Sequence, residues 1–521
     1  MPEHIAIIDL GSNTTRMVVY EYERDRYFRL QDEIREVVRL SEGMGRTNVL
    51  RAAAIQRAIN AMRMFKELVE DRGVDEVIAV TTSAVRDAVN RETFLARVRA
   101  ETGWELRVLS GEEEGYYGAL GAVNATCMRQ GFVIDLGGGS VQITEVQAGV
   151  PGRTVSLPLG ALRLTELFLN PDRISPEQVD ALRAFVREQL IHLDWFQARP
   201  GDTLVAIGGA IRNLGKIDQV RKRYPLDTIH GYRFMAGDIA SLADELWRYS
   251  LKKRRRLPGL RADRADIMPA AAIVYDELLH HSGFDEVVIS RPGLREGLFF
   301  EHFLSHLPQP LFPDLRRFSI LSLARIFGYD DPHSHHVAFL ATRMFDDLQP
   351  VHGLDASYRE LLWAAGILHD IGAIINYPYH HRHSYYIILN YTLYGYEPRE
   401  LALIALIARY HRSKGNPKPR EMAPLLSEED ARALPVLSGM IRLAEYLERG
   451  RRQVIRDLRC HVDEENGWMQ IEALAAGNAA IELWEAERNL DVLSRALGLD
   501  VELVEGVWQH EDADSADAAQ R

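Results

Sequence analysis

Two short segments place an aspartate at the end of an apolar run, shortly before glycine and serine. The first is Ile5-Ala-Ile-Ile-Asp-Leu-Gly-Ser-Asn13, and the second is Phe132-Val-Ile-Asp-Leu-Gly-Gly-Gly-Ser140. Glycine lets the backbone approach an anion closely, so the N–H groups and hydroxyl of such a turn can hold phosphate. The carboxylate can hold Mg²⁺ beside it. The segments therefore predict two loops that grip one phosphate group: Asp9, Gly11, Ser12 and Asn13 in the first, and Asp135, Gly137, Gly138, Gly139 and Ser140 in the second.

Three further segments could complete this chemistry. One carboxylate of Ser110-Gly-Glu-Glu-Glu114 could deprotonate a water molecule. Gly208 and Gly209 stand at a strand-to-helix turn that could hold phosphate at a helix N-terminus. The following Gly215-Lys216-Ile217 does not complete a P-loop, because the glycine spacing is too long and isoleucine replaces the Ser or Thr ligand of Mg²⁺. Arg86 and Arg295 suit bidentate phosphate contacts.

The elements that must position these residues alternate between strand and helix over the first 300 residues. Strands are predicted at 5–9, 16–22, 76–81, 105–109 and 286–290, and helices at 52–72 and 91–102. Because the second Asp-Gly-Ser segment repeats the strand–turn–strand pattern of the first, we expect two related α/β halves with a cleft between them.

The composition changes after residue 305. Three prolines within 307–313 predict a linker, and 320–499 has the pattern of an almost purely helical region. Nine of the 18 histidines lie between His333 and His411. The predicted domains are thus a first α/β domain at 1–127, a second at 128–305, a linker at 306–318, a helical domain at 319–508 and an acidic tail at 509–521.

Charge and cysteine content restrict the class of protein. The net charge of −13 argues against a general nucleic-acid binder, and the apolar runs are too short to cross a membrane. Two cysteines without a disulfide pattern, together with the lack of a signal-like N-terminus, predict a cytoplasmic protein. The basic runs 221–223 and 252–256 are solvated surface by default, but they are candidates for guiding a polyanion.

Taken in order, the motifs resemble those of the exopolyphosphatase / guanosine pentaphosphate phosphatase family over residues 4–305. They are Asp9-Leu-Gly-Ser-Asn13, Thr82-Ser-Ala-Val-Arg86, Ser110-Gly-Glu-Glu-Glu114, Asp135-Leu-Gly-Gly-Gly-Ser140, Gly208-Gly-Ala210 and Gly293-Leu-Arg-Glu-Gly297. The resemblance implies two actin-like α/β domains of the sugar kinase and actin superfamily. It also implies release of a terminal phosphate from inorganic polyphosphate or guanosine pentaphosphate, with Mg²⁺ as the cofactor and K⁺ as a further candidate ion.

The resemblance also implies roles for individual residues. Glu114 matches the catalytic base, Asp135 the metal and phosphate loop, and Arg86 a substrate contact. Asp135 and Glu114 would thus be the Mg²⁺ ligands. Many members carry Glu where this chain has Gln142, which can orient water or reach a metal through its carbonyl but cannot act as a base. The rate or the metal requirement is therefore expected to differ.

The helical region resembles an HD-type domain, which long members of this family carry at their C-terminus. His333, His369 and Asp370 fit the metal pattern of HD phosphohydrolases, and Glu445 stands where that pattern normally has Asp. Adjacent residues on a helix diverge by about 100°, so His369 and Asp370 can share a site only where the backbone bends. We expect either a second divalent metal here or polar groups that line a phosphate path.

These observations lead to one main prediction and several alternatives. The main prediction is a homodimeric, Mg²⁺-dependent exopolyphosphatase in which Glu114 activates water. The alternatives are a guanosine pentaphosphate 5′-phosphohydrolase, a sensor that binds polyphosphate or nucleotide without catalysis, and a sugar-kinase-like phosphotransferase. Phosphate release from each substrate would separate them.

Overall fold

The computed structural model describes residues 2–44, 47–412 and 417–509. The chain forms two compact units. The first extends to Tyr224 and from Thr228 to Leu315, and the second comprises Pro225–Asp227 and the chain from Arg316 onward. Apart from Gln509, the predicted acidic tail at 509–521 lies outside the described residues.

A five-stranded sheet begins the first unit. Its central strand pairs with the next strand as an antiparallel hairpin and with the fourth in parallel, giving the order β3-β2-β1-β4-β5. The strands are β1 (Glu3–Leu10), β2 (Thr15–Glu23), β3 (Tyr27–Glu36), β4 (Glu76–Thr81) and β5 (Arg107–Val108). The helices are α1 (Ala52–Asp71), α2 (Ser83–Arg86), α3 (Arg91–Thr102) and α4 (Gly111–Thr126).

A six-stranded sheet repeats this arrangement. Its order is β10-β11-β9-β6-β7-β8, with β6 antiparallel to β7 and parallel to β9. The strands are β6 (Gly131–Leu136), β7 (Val141–Gln147), β8 (Val150–Leu157), β9 (Thr203–Ile207), β10 (Tyr232–Met235) and β11 (Glu286–Ile289). The helices are α5 (Ala161–Phe168), α6 (Pro176–Leu190), α7 (Gly208–Lys222), α8 (Ala236–Leu246), α9 (Leu251–Arg254), α10 (Met268–Ser282) and α11 (Leu294–Phe303), with a 3₁₀ turn at Ala262–Arg264.

The shared topology explains the sequence repeat. Strands β6, β7, β8, β9 and β11 occupy the positions that β1 to β5 occupy in the first sheet, with the same strand directions. Asp9 lies near the end of β1, and Asp135 lies near the end of β6. The two Asp-Gly-Ser turns therefore follow equivalent strands. Each sheet is covered by its own apolar core, around Ile8 and Phe65 in one and Ile134 and Leu214 in the other.

The second unit is mostly helical but ends in a small sheet. Its helices are α12 (Leu315–Ile326), α13 (Asp331–Asp347), α14 (Gln349–His352), α15 (Ser357–Leu368), α16 (His380–Asn390), α17 (Pro398–Tyr410), α18 (Glu428–Leu447), α19 (Ala480–Glu487) and α20 (Asp491–Leu497). Two 3₁₀ helices span Ile371–Ile374 and Arg420–Leu425. Strands β12 (Ile455–Asp463), β13 (Trp468–Ala475) and β14 (Asp500–Val507) form the sheet. The region 320–499, predicted as almost purely helical, is thus mostly helical, with β12 and β13 as the exceptions within it.

The predicted fold class is confirmed as two α/β domains of related topology followed by a mostly helical domain. Most of the elements predicted in the first unit are found within a few residues of their predicted bounds; the strand predicted at 105–109 is reduced to β5. Across the ranges that the structure describes, none of the helices has the combined length and apolar character that a membrane span requires.

Candidate active site

The loop between β1 and β2 and the loop between β6 and β7 lie against one another. A Cβ added to Gly138 would lie 3.2 Å from the Ser12 Cβ, and one added to Gly139 would lie 2.5 Å from the Ser83 Oγ. Ser12 and Ser83 in turn share a hydrogen bond of 2.8 Å between their hydroxyls. Only glycine fits at 139 without displacing these hydroxyls, so the glycine run is what allows the loops to approach.

The two loops line a cleft of about 120 Å³. Its wall includes the ends of β1 and β6, the first turns of α4 and α7, and the start of α11. The cleft brings together most of the site residues predicted from the sequence: Asp9, Gly11, Ser12, Asn13, Glu114, Asp135, Gly137, Gly138, Gly208, Gly209 and Arg295. Arg86, Gly139 and Ser140 instead line a neighbouring pocket of about 470 Å³.

Three carboxyls in the cleft have raised pKa values. Burial raises the pKa of Glu114 to about 8, and burial together with Asp9 raises that of Asp135 to about 6. Burial also raises the pKa of Asp9, although Arg295 opposes the shift. Among the described residues, Asp9 Oδ1 has no hydrogen-bond partner. This set of residues fits a divalent cation, whose charge would stabilise the ionised carboxylates.

Five arginines among the described residues line the same cleft: Arg16, Arg212, Arg264, Arg291 and Arg295. Burial lowers the pKa of Arg16 and of Arg212, and the nearby Arg295 lowers both further. Burial and nearby arginines likewise lower the pKa of Arg264. Like charges that share a buried space destabilise one another unless an anion joins them. The cleft therefore fits a compact ligand with several negative charges.

Of these five arginines, only Arg295 stands in a motif that indicates a phosphate contact. Arg212 could have been identified from the sequence, because it lies one helical turn after the Gly208-Gly209 turn, on α7. Arg264 lies in the 3₁₀ turn Ala262–Arg264, and a Cβ on Gly209 would lie 2.5 Å from its guanidinium. No spacing in the sequence indicates that contact, because it joins residues from distant parts of the chain.

A capping box at the start of α4 sets the direction of Glu114. Ser110 Oγ accepts the Glu113 N–H at 3.0 Å, and the Glu113 carboxylate accepts the Ser110 N–H at 2.8 Å. Of the three consecutive carboxylates, Glu112 is exposed, Glu113 caps the helix, and Glu114 is buried in the cleft. Arg86 donates to Glu114 Oε2 at 3.0 Å, so the predicted substrate contact pairs with the predicted base in this structure.

Gln142 lies behind the second loop. Its Nε2 donates to Ser140 Oγ at 2.8 Å and to Ser156 Oγ at 3.0 Å, and its side chain is buried. The amide thus fixes the hydroxyl of Ser140, the last residue of the loop. This position gives Gln142 a role in shaping the loop.

Some residues of the two basic runs are engaged in local contacts. Lys222 forms ion pairs with Asp218 and Asp238, and Arg221 pairs with Glu245. Arg254 is fully buried and donates to the Pro171 carbonyl oxygen. These contacts weaken the expectation that the runs guide a polyanion.

A second cluster of titratable residues lies in the second unit. The four predicted ligands, His333, His369, Asp370 and Glu445, come together and are all buried, and His380 and His411 join them. Helix α15 ends at Leu368, and a 3₁₀ helix begins at Ile371. The backbone therefore bends at His369 and Asp370, which lets these neighbours face one site. Burial alone would lower the pKa of His369, but Asp370 and Glu445 outweigh it and raise this pKa to about 9.

Comparison with known proteins agrees with this architecture. The family model described as Ppx/GppA phosphatase family matches residues 18–306, and the model for Ppx/GppA phosphatase, domain III, matches residues 315–490.

Solved structures of related proteins also match the chain, and three of them illustrate the likeness. An Aquifex aeolicus member of the Ppx/GppA family is 27% identical, with 59% of this chain and 100% of that chain covered and a TM-score of 0.51. A structure described as an exopolyphosphatase-like protein is 25% identical, with 57% and 96% covered and a TM-score of 0.51. An exopolyphosphatase from Cytophaga hutchinsonii shares the fold at 21% identity, with 60% and 100% covered and a TM-score of 0.55. The chain therefore belongs to the Ppx/GppA phosphatase family.

Proposed function

We propose that this phosphatase is an exopolyphosphatase, which hydrolyses the terminal phosphate of inorganic polyphosphate. The observation that carries the proposal is the set of five arginines lining the cleft that also holds Asp9, Asp135 and Glu114. A polyphosphate end carries several charges within a few ångströms and thus matches clustered guanidinium groups better than a singly charged ester does. The likeness to an exopolyphosphatase-like protein supports the same substrate class.

In this proposal the loops and arginines hold the terminal phosphate. The N–H groups of Gly11 and Gly137 close the two turns by donating to the Thr14 and Ser140 oxygens. The N–H groups of Ser12, Asn13 and Gly138 bind the phosphate oxygens instead. Arg295 and Arg212 stabilise the charge that develops during transfer. Asp9 and Asp135 would hold Mg²⁺, which supplies positive charge at the phosphate oxygens.

Glu114 performs the proton transfer. Its carboxylate accepts a proton from a water molecule as the water oxygen forms a bond to the terminal phosphorus. The bond from that phosphorus to the bridging oxygen breaks, and the shortened polyphosphate leaves with the electron pair. Arg86, which donates to Glu114 Oε2, orients the carboxylate and favours its ionised form.

The test is phosphate release from long-chain polyphosphate in the presence of Mg²⁺. We expect steady release by the unmodified chain and a loss of about 10²–10⁴-fold in Glu114→Gln. Glu67→Gln makes the same change at an exposed position on α1 and serves as the matched control, with unchanged release. Turnover of guanosine pentaphosphate but not of polyphosphate would overturn the substrate assignment, and binding of polyphosphate without turnover would overturn the enzyme assignment.

A further inference from the structure

A side pocket lies next to the cleft, and the proposed reaction does not use it. Its volume is about 470 Å³, and its wall is built from α2, α4, α5, β8 and the glycine loop after β6. Glu114 lines the cleft and Arg86 lines the side pocket, so their hydrogen-bonded pair forms part of the partition between the two spaces. The question is what the side pocket binds.

The direction of the proposed reaction places the orthophosphate product on the Glu114 side of the cleft. Phosphoryl transfer proceeds in line, so the water activated by Glu114 attacks the terminal phosphorus opposite the bridging oxygen. The released orthophosphate then lies between Glu114 and the shortened chain, which the arginines of the cleft still hold. Orthophosphate can leave before the chain does only through an opening on the Glu114 side, and the side pocket adjoins that side.

Gln142 makes two hydroxyls of the side pocket into donors. Its Nε2 donates to Ser140 Oγ at 2.8 Å and to Ser156 Oγ at 3.0 Å. Each hydroxyl accepts at that contact, so its own hydrogen is left to donate elsewhere. Both serines line the side pocket, and none of the described residues accepts either hydrogen. A glutamate at 142 would accept both hydrogens itself, so these donors depend on the amide.

Two guanidinium groups add positive charge to the same wall. Arg86 Nη1 donates to the Leu109 oxygen and to Glu114 Oε2, both at 3.0 Å. Arg163 Nη2 donates to Asp87 Oδ2 at 2.5 Å. A guanidinium carries five N–H donors, so each arginine keeps several for a ligand. Together with the two hydroxyls, these donors fit a small tetrahedral oxyanion.

Two carboxylates keep the binding of an anion weak. Asp87 and Glu112 line the side pocket together with Arg86 and Arg163, so its acidic and basic side chains are equal in number. A polyphosphate chain carries many charges and gains little from such a neutral lining, whereas a single phosphate can use the local donors. Weak binding suits a site from which a product must be released quickly.

The proposed reaction itself loosens the partition. Glu114 gains a proton from the attacking water, so its carboxyl becomes neutral and no longer forms an ion pair with Arg86. The new phosphate carries negative charge and is then the stronger partner for the guanidinium. Arg86 can therefore turn from Glu114 to the phosphate, and Glu114 returns its proton to solvent after the phosphate has left.

We propose that the side pocket is the binding and exit site of the orthophosphate product. Phosphate leaves on the Glu114 side while the shortened polyphosphate stays in the cleft for the next cycle. The origin of the phosphate rests on the proposed exopolyphosphatase function, whereas the affinity of the side pocket for orthophosphate does not depend on turnover.

The first test is binding of radiolabelled inorganic phosphate to the full-length chain, measured by equilibrium dialysis without polyphosphate. Arg163→Gln removes a guanidinium and leaves Asp87 unpaired in the side pocket, so we expect it to weaken phosphate binding at least about tenfold. Arg99→Gln makes the same change at an exposed position on α3 and should leave the binding unchanged. Equal phosphate binding by Arg163→Gln and the unmodified chain would overturn the proposal.

A second variant covers the case in which Arg163→Gln fails to fold. Ser156→Ala removes one hydroxyl donor and should weaken phosphate binding about fivefold. Ser241→Ala, at an exposed position on α8, is its matched control and should bind phosphate normally. Unchanged phosphate binding by a folded Ser156→Ala variant would contradict the role of the oriented hydroxyls.

Inhibition by inorganic phosphate during polyphosphate hydrolysis tests the exit role. Phosphate in the side pocket should lower kcat, and excess polyphosphate should not relieve this inhibition. Arg163→Gln should need about tenfold more phosphate for the same effect on kcat. Purely competitive inhibition would place phosphate in the cleft alone and overturn the exit site. If the chain hydrolyses no polyphosphate, the proposed function fails, and the dialysis result alone decides whether the side pocket binds phosphate.

Discussion

Burial raises the pKa of Glu114 above the ordinary range of a carboxyl group. Because a general base must be ionised and the pKa of Glu114 is raised to about 8, we expect kcat/KM for polyphosphate to rise with pH, by about tenfold per unit well below this pKa. Phosphate release from pH 6 to 9.5 measures the profile. Saturating Mg²⁺ should move the rise to lower pH, since a nearby cation favours the carboxylate.

The pH profile of phosphate release by Glu114→Gln is the control for that prediction. A glutamine side chain does not titrate, so residual activity should lose the rise near pH 8. If the variant keeps the same rise as the unmodified chain, another group is responsible, and Glu114 is not the base.

Gln142 offers a second prediction at a single residue. Gln142→Met keeps the volume of the buried side chain but removes the donors to Ser140 and Ser156. Because Ser140 ends the phosphate loop, we expect about a tenfold loss in kcat/KM, corresponding to the loss of about one hydrogen bond. Steady-state kinetics with polyphosphate measures the loss, and an unchanged kcat/KM would mean that the amide does not support the loop.

Some residues of the cleft can be predicted from the sequence, and others cannot. Asp9, Asp135 and Glu114 could be predicted because they occur within short motifs whose chemistry is local. Arg264 could not, because its place in the cleft depends on a contact with Gly209 that only the folded chain creates. The motif around Gln142 was recognised, but its position behind the loop follows from the pairing of β7 with β8.

At the scale of elements, the site can form because the glycines let the β1–β2 loop and the β6–β7 loop approach each other closely. A methyl group at 139 would lie 2.5 Å from Ser83 Oγ and 2.9 Å from Ser12 Oγ. We therefore expect Gly139→Ala to destabilise the protein by about 1–3 kcal/mol and to lower phosphate release strongly. Denaturant unfolding and activity assays measure the two effects.

Gly237→Ala is the matched control for this change. Gly237 lies in the first turn of α8, and a Cβ there would meet no atom within 4 Å. Alanine in a helix is favoured over glycine by about 0.5–1 kcal/mol, so this variant should be as stable as the original or slightly more so, with normal activity. Equal effects of the two substitutions would contradict the packing argument.

Elements with strong local patterns were predictable, and those that depend on pairing were not. Helix α3 has the predicted bounds 91–102, and α1 ends one residue earlier than predicted. The sequence of β13 contains Glu, Leu and two Ala, which favour helix, so its composition does not predict a strand. Its alternation of Met469, Ile471 and Ala473 toward the interior becomes a strand only by pairing with β12 and β14.

For the whole molecule, the net charge disfavours binding of a polyanion, whereas the arginines that line the cleft favour it. The net charge of −13 suggests a surface that repels polyanions, whereas the cleft concentrates five arginines in one small volume. Net charge governs long-range encounter, while recognition depends on the groups that contact the ligand. The acidic composition therefore excludes diffuse binding to nucleic acid without excluding a polyphosphate site.

Because the chain forms two compact units and the proposed substrate binds in the first, the substrate should stabilise that unit alone. Anything that binds only the folded form stabilises it, by about 2.7 kcal/mol at a hundred times its Kd. For the first unit, of about 300 residues, this corresponds to an increase in Tm of about 4 °C. We expect polyphosphate with Mg²⁺ to raise the unfolding temperature of the first unit in this way, and removal of Mg²⁺ by a chelator to reverse the shift.

Scanning calorimetry of Glu114→Gln, in which polyphosphate should bind without being consumed, measures this response. Polyphosphate with Mg²⁺ should raise the transition of the first unit alone, because the cleft that holds the proposed site lies in that unit. Asp135→Asn, introduced in addition, should abolish the shift. If polyphosphate moves both transitions equally, or if the shift survives Asp135→Asn, the assignment of polyphosphate to the cleft of the first unit is wrong.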